Sequence, residues 1–300
     1  MQINKQGRKS RRLISAICVT CTVVVAALTG QRAVAATVSF ADGINNAFVT
    51  NYQGTHDTMI VNTPDWEDTN TGGRNSVQVG TGYAGGASAQ RRRLLLRFDN
   101  LNVMAGQYAT ITSAKVVFKK LSISGGGSSS DVDMFLMGFD NIGWNEGTGN
   151  FTPAAPGEAT WNNLAHPSTP WTGGPGLDGA GGLVAPTNPL DTVNLAFYDP
   201  IDTAYEFDLS PSLVNLWILE HVAAPNAGLV FKQVDGQIPA IHELYSSEYV
   251  GANAVNLRPR LVIEYTPLGA IGDSESVPEP ATGILLLFAG TVWAARRRAA

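Results

Sequence analysis

The 300-residue chain carries 20 Lys+Arg, 25 Asp+Glu, 4 His and 2 Cys, for a formal net charge of -5. Setting aside residues 1–35 and the tail from Pro278 leaves 11 Lys+Arg against 24 Asp+Glu, a net charge of -13 over 36–277, which argues against nucleic acid as a partner. Both cysteines, Cys18 and Cys21, fall within the first 35 residues, so the remainder is expected to rest on a packed core, without disulfides or thiolate metal sites.

Lys5, Arg8, Lys9, Arg11 and Arg12 precede an apolar run from Leu13 to Leu28, and Ala33-Val34-Ala35 places small residues at a cleavage position. This is the pattern of a helical secretory signal peptide over 1–35, cleaved at Ala33 and Ala35, and it predicts an exported protein. The next roughly 230 residues are enough for one large β-sandwich or two small domains; residues 36–266 read as one all-β body. Val38, Phe40, Ile44, Phe48, Met59 and Val61 alternate loosely, as in one or two strands parted by the polar 51–57 turn. An acidic loop follows over 65–73. Asp65, Glu67 and Asp68 are candidate ligands for calcium, the one cofactor suggested, although the loop lacks the sixth-position glycine of an EF-hand. A short strand over 76–80 and a glycine-rich loop over 82–90 lead to the stretch Arg91-Arg92-Arg93-Leu94-Leu95-Leu96-Arg97-Phe98.

Four of the eleven remaining cations lie between Arg91 and Arg97. Alternate strand residues face opposite sides, so Leu94, Leu96 and Phe98 predict a buried face. Arg93, Leu95 and Arg97 predict a face that meets solvent, an anionic ligand or structural carboxylates. Residues 113–121 alternate in the same way, with Ala114, Val116 and Phe118 on one side and Lys115 and Lys119 on the other. A Gly/Ser loop over 125–130 precedes a central strand expected over 131–139.

Residues 140–192 are rich in Gly, Pro, Asn and Thr and contain Trp144, Trp161 and Trp171. Such a long connection is usually functional, or else conceals unrecognised elements; its tryptophans suit either sugar stacking or packing over the sheet. Strands are expected at 193–197 and 204–209. Ser210-Pro211, followed by Leu213, Val214, Leu216, Trp217 and Leu219, predicts one short helix ending near His221. Further strands are expected at 229–231 and 260–265, then a linker over 267–277.

The tail combines Pro278-Glu279-Pro280, an apolar run over 281–295 and Arg296-Arg297-Arg298. This order resembles the PEP-CTERM sorting signal of Gram-negative bacteria that make extracellular polysaccharide. The resemblance implies a C-terminal transmembrane helix holding the precursor in the inner membrane, cleavage near Pro278-Glu279-Pro280 by an exosortase-type enzyme, and delivery to the cell surface or extracellular matrix. A plain anchor helix is the alternative.

Nine short motifs across 37–266 resemble, in order, the DNRLRE domain, a family related to disaggregatase accessory modules and to a class of carbohydrate-binding module. They are Asp57-Thr58-Met59-Ile60, Val77-Gln78-Val79-Gly80, Arg93-Leu94-Leu95-Leu96-Arg97-Phe98-Asp99, Ser113-Ala114-Lys115-Val116, Trp144-Asn145-Glu146, Ala159-Thr160-Trp161-Asn162, Asn226-Ala227-Gly228-Leu229, Ser246-Ser247-Glu248 and Arg258-Pro259-Arg260-Leu261. The resemblance implies an antiparallel jelly-roll β-sandwich without catalysis of its own, and polysaccharide binding. Residues 147–158 depart from the pattern as an insertion between motifs that normally lie close together.

No zincin, P-loop or nucleophile-elbow motif is present, and His56, His166, His221 and His242 are scattered without ligand spacing. The leading expectation is an exported, non-catalytic polysaccharide binder. Arg93, Arg97, Lys115 and Lys119 would pair with uronate carboxylates of an acidic glycan, and Trp144, Trp161 and Trp171 would supply a stacking platform. The alternatives are a structural exopolymer-matrix protein without a discrete sugar site, favoured if the arginines are buried against Asp or Glu, and a polysaccharide lyase or hydrolase, which needs two carboxylates roughly 5 to 9.5 Å apart across a cleft.

Overall fold

A computed structural model describes residues 34–83, 89–124 and 128–268. The expected signal peptide up to Ala33 and the expected sorting segment, including Pro278, Glu279 and Pro280, lie outside these residues. Among the described residues no helix is long and apolar enough to cross a membrane. Residues 35–267 form one compact unit.

The strands follow the apolar alternation. The first seven are β1 (Ala36–Phe40), β2 (Thr55–Asn62), β3 (Thr69–Asn70), β4 (Ser76–Tyr83), β5 (Ala89–Phe98), β6 (Tyr108–Ser124) and β7 (Ser130–Leu136). The long connection after β7 holds the short strands β8 (Thr152–Pro153), β9 (Asn163–Ala165) and β10 (Thr169–Pro170) and two 3-10 turns, Phe139–Asn141 and Pro175–Leu177. Then come β11 (Asp191–Leu195), β12 (Ala204–Leu209), helix α1 (Pro211–Ile218), β13 (Leu229–Gln233), β14 (Ile241–Tyr245), helix α2 (Ala254–Leu257) and β15 (Arg260–Pro267).

The chain is mostly β. One large antiparallel sheet runs β1-β15-β6-β14-β4-β5-β13-β7-β11, with β12 added to β6 and β2 to β5, an arrangement compatible with a β-sandwich. The 17-residue β6 carries much of it: β15 pairs along residues 108–117, β14 along 120–124 and β12 along 114–119. Leu94, Leu96 and Phe98 of β5 share a core with Val116 and Phe118 of β6 and with Val77 and Val79 of β4. Phe118, Phe207 and Phe231 meet edge to face, with centroids 5.0–6.3 Å apart, and each such fully buried side chain contributes about 1.5–3 kcal/mol.

Helix α1 begins where Ser210 and Pro211 place it, with Pro211 in the first turn, where its missing N–H costs nothing. The Ser210 hydroxyl bonds Ser212 Oγ and not a helix amide. Val214, Trp217 and Ile218 face the core. The expectation of a single helix is corrected, among the described residues, by α2 and by three 3-10 turns. Strand β14 is also an addition. It is buried between β4 and β6, and its His242 and Glu243 break the apolar run.

Candidate functional site

The face of β5 opposite the core is covered. Ile60, Leu95, Phe135 and Val230 form a second apolar cluster with Trp144, Trp161, Trp171, Leu177 and Leu183 from the long connection. Arg93 is 4% exposed. It donates to the Gly176 carbonyl and to Asp178, and its guanidinium lies 5.1 Å from the Trp161 ring centre. Gly176 has φ +66°, and a Cβ there would strike the Trp161 ring, so glycine alone allows this close approach. Arg97 donates to both carboxylate oxygens of Asp99, at 2.8 and 3.1 Å, and to the Trp144 carbonyl, and lies 4.9 Å from the Trp144 ring centre.

The expected stacking platform is therefore corrected. Trp144, Trp161 and Trp171 are 1%, 4% and 3% exposed, which leaves no ring face for a sugar. The indoles of Trp144 and Trp171 donate inward, to the carbonyls of Ala227 and Thr160. The cause is satisfaction of buried polar groups: an irregular cover over a sheet must pair its backbone groups internally, and tryptophan and arginine supply apolar area and donors together.

The four candidate cations do not converge. Lys115 and Lys119 lie on β6, in pairing with β12 and not with β5; Lys115 forms an ion pair with Glu206 at 2.6 Å and Lys119 donates to the Asp202 carbonyl. Asp65, Glu67 and Asp68 do not form a metal set either. Asp68 accepts from Asn162, and the one group of three close ligating side chains among the described residues lies elsewhere. A groove of about 530 Å³ opens at the end of β5, lined by Arg97, Asp99, Trp217, Glu220, His221 and Asn226 among others. Arg97 is the only expected ligand-binding residue on it.

The close group is Asp57, Glu146 and Glu248, whose ligating oxygens all lie within 4.8 Å of one another. Asp57 is on β2, paired opposite Leu96, and is 0% exposed. Glu146 comes from the cover, where its Oε1 accepts the Asp57 N–H at 2.9 Å and so closes part of the free edge of β2. Glu248 follows β14, and the Ser247 N–H donates to Asp57 Oδ2 at 2.6 Å. Asp57 Oδ1 and Glu248 Oε2 are buried without a partner. Burial, and then the neighbouring Glu248 charge, push the Asp57 carboxyl well above the usual carboxylate range. Glu146 and Glu248 are raised as well, first by burial and then by the carboxylates beside them. His56 bridges this group to the β5 arginine: Nδ1 bonds Glu146 at 3.0 Å and Nε2 bonds Asp99 at 3.2 Å. Its pKa is raised to about 9 by the hydrogen bonds to Asp99 and Glu146.

Sequence spacing gave no sign of this group, because its members are 89 and 102 positions apart. The usable signal was that Asp57, Glu146 and Glu248 each sit in a separate short motif, Asp57-Thr58-Met59-Ile60, Trp144-Asn145-Glu146 and Ser246-Ser247-Glu248. Residues 147–158, expected as an insertion, leave Glu146 in this group: Glu158 closes this loop on itself by accepting from the amides of Thr148 and Ala155. No family model matches the chain, and no curated protein matches it.

Proposed function

We propose that this chain is an exported, non-catalytic jelly-roll β-sandwich that serves as a structural component of an exopolymer matrix, delivered there by its signal peptide and PEP-CTERM-like tail. The observation that carries this reading is the neutralisation of the basic face of β5 from within: Arg93 is spent on Asp178 and Gly176, and Arg97 on Asp99 and Trp144. A uronate chain is left without the bidentate partners that guanidinium recognition needs. The carboxylates also support a non-catalytic role. Glycosidase pairs flank an open cleft, whereas Asp57, Glu146 and Glu248 crowd together around a fully buried member. The surface suits a hydrated matrix, with a net charge of -13 over 36–277.

Affinity electrophoresis against a panel of neutral and acidic glycans tests the reading. Equal mobility in plain and glycan-loaded gels is expected. Retardation by a uronate polymer that Arg97→Ala abolishes would overturn it in favour of the basic face. A second reading, polysaccharide binding, is favoured by the groove at the end of β5. Retardation abolished by Asn226→Ala or His221→Ala would select that reading.

A further inference from the structure

We infer that Asp57, Glu146 and Glu248 form a binding site for one divalent cation of the hard, oxygen-preferring class, with calcium the best fit. This stands apart from the matrix reading, since it concerns how the sandwich edge is held together, whatever the protein attaches to. Three carboxylates from segments remote in sequence are brought within 4.8 Å of one another. Two of their oxygens, Asp57 Oδ1 and Glu248 Oε2, are buried with no hydrogen-bond donor. Asp57 is 0% exposed, so this orphan acceptor is shut away from water beside like charge, an arrangement costly enough to call for a counter-charge.

The surrounding cations do not supply it. His56 reaches only Glu146 in the group and is shared with Asp99. Arg97 is committed to Asp99, and Arg258 donates to the carbonyls of Asp42 and Tyr249. All the available ligands are oxygens, which excludes a thiolate or imidazole preference and selects calcium or magnesium. Coordination habit then separates the two. Calcium accepts several protein carboxylates in flexible geometry, whereas magnesium demands near-ideal octahedral positions, keeps several waters and is usually held by one or two carboxylates. Three carboxylates drawn from separate segments, with the Ser247 hydroxyl beside them bonded to Glu248 at 2.7 Å, suit the less exacting ion. Such an ion would join β2, the cover and the segment after β14 at one point.

The test is calcium titration of the EGTA-treated full-length protein by isothermal calorimetry, with thermal unfolding in calcium, magnesium and EGTA. One calcium per chain is expected, with a higher melting temperature in calcium than in EGTA or magnesium. Glu248→Gln, at the half-buried member, should keep the fold and bind calcium at least tenfold more weakly. Asp57→Asn should abolish binding, and if that variant does not fold, Glu146→Gln serves in its place. Asp68→Asn in the acidic loop should bind as the parent does. Absence of any heat or melting shift with calcium would overturn the assignment and leave shared protons as the counter-charge. Unchanged affinity in Glu248→Gln, or lost affinity in Asp68→Asn, would overturn it as well.

Discussion

The two faces of strand β5 are buried by opposite means. Toward the core, Leu94, Leu96 and Phe98 meet other strands, and β5 is held in register by β2 along 91–98 and by β13 along 94–96. On the far side, Arg93, Leu95 and Arg97 meet an irregular cover that has little ladder of its own and is pinned by side chains: Arg93 on Gly176, Trp171 on Thr160, Asn141 on Thr172 and Gly181, and Asn70 on Glu146. Alternating polarity along a strand thus separates two environments without saying that either is wet. Charge on one face marks a need for partners, and here the partners come from within the chain.

Substitutions on the two faces should differ in size and in kind. The largest loss is expected for Leu96→Ala, at a position 0% exposed; removing a large core side chain costs about 2–5 kcal/mol, read by chemical denaturation as a lower midpoint with the same slope. Next comes pH. His242 lies on the same face of β14 as Leu244 and bonds Ser130 at 2.9 Å; burial, and then Lys120, depress its pKa from 6.5 to about 4. Above pH 6.5 the folded and unfolded states are both neutral there and stability is unaffected. As pH falls from 6.5 towards 4 the unfolded state takes up the proton first, so stability declines, by about 3 kcal/mol at most. Denaturation of His242→Gln should lack this share of the acid loss.

On the outer face, Arg93→Ala should cost about 2 kcal/mol by leaving the Gly176 carbonyl without its donor, and hydrogen exchange should quicken across 161–177 while β6 stays protected. Trp144→Phe keeps most of the apolar area and loses the bond to Ala227, for about 1 kcal/mol. Lys115→Ala removes an exposed pair with Glu206 and should change stability by less than about 0.5 kcal/mol. A loss for Arg93→Ala as small as that for Lys115→Ala would erase the contrast between the buried arginine and the surface lysine.

Much of the strand framework was legible in the sequence, because β2, β5, β6, β12, β13 and β15 carry period-two or continuous apolar patterns that one residue in register would spoil. Helix α1 was legible from Ser210-Pro211 and its apolar stripe. Strand β14 was not, since His242 and Glu243 interrupt it and are accommodated by Ser130, Ser76 and Ser122, three partners distant in sequence. The cover was hidden for the same reason. Nothing local in residues 140–190 says that Gly176 will accept from Arg93 or that Trp161 will lie under that guanidinium. The carboxylate group was hidden most deeply, because each member reads alone as an ordinary solvated acid.

The most direct measurement is hydroxyl-radical footprinting of the native protein, with labelling of Trp144, Trp161 and Trp171 compared with Tyr198, which is 86% exposed. The three tryptophans should label far more slowly than Tyr198, and added polyuronate should leave their rates unchanged. Labelling as fast as Tyr198, or protection of these tryptophans by the glycan, would mean that the arginine-bearing face of β5 is open to ligand and that its burial under the cover is wrong.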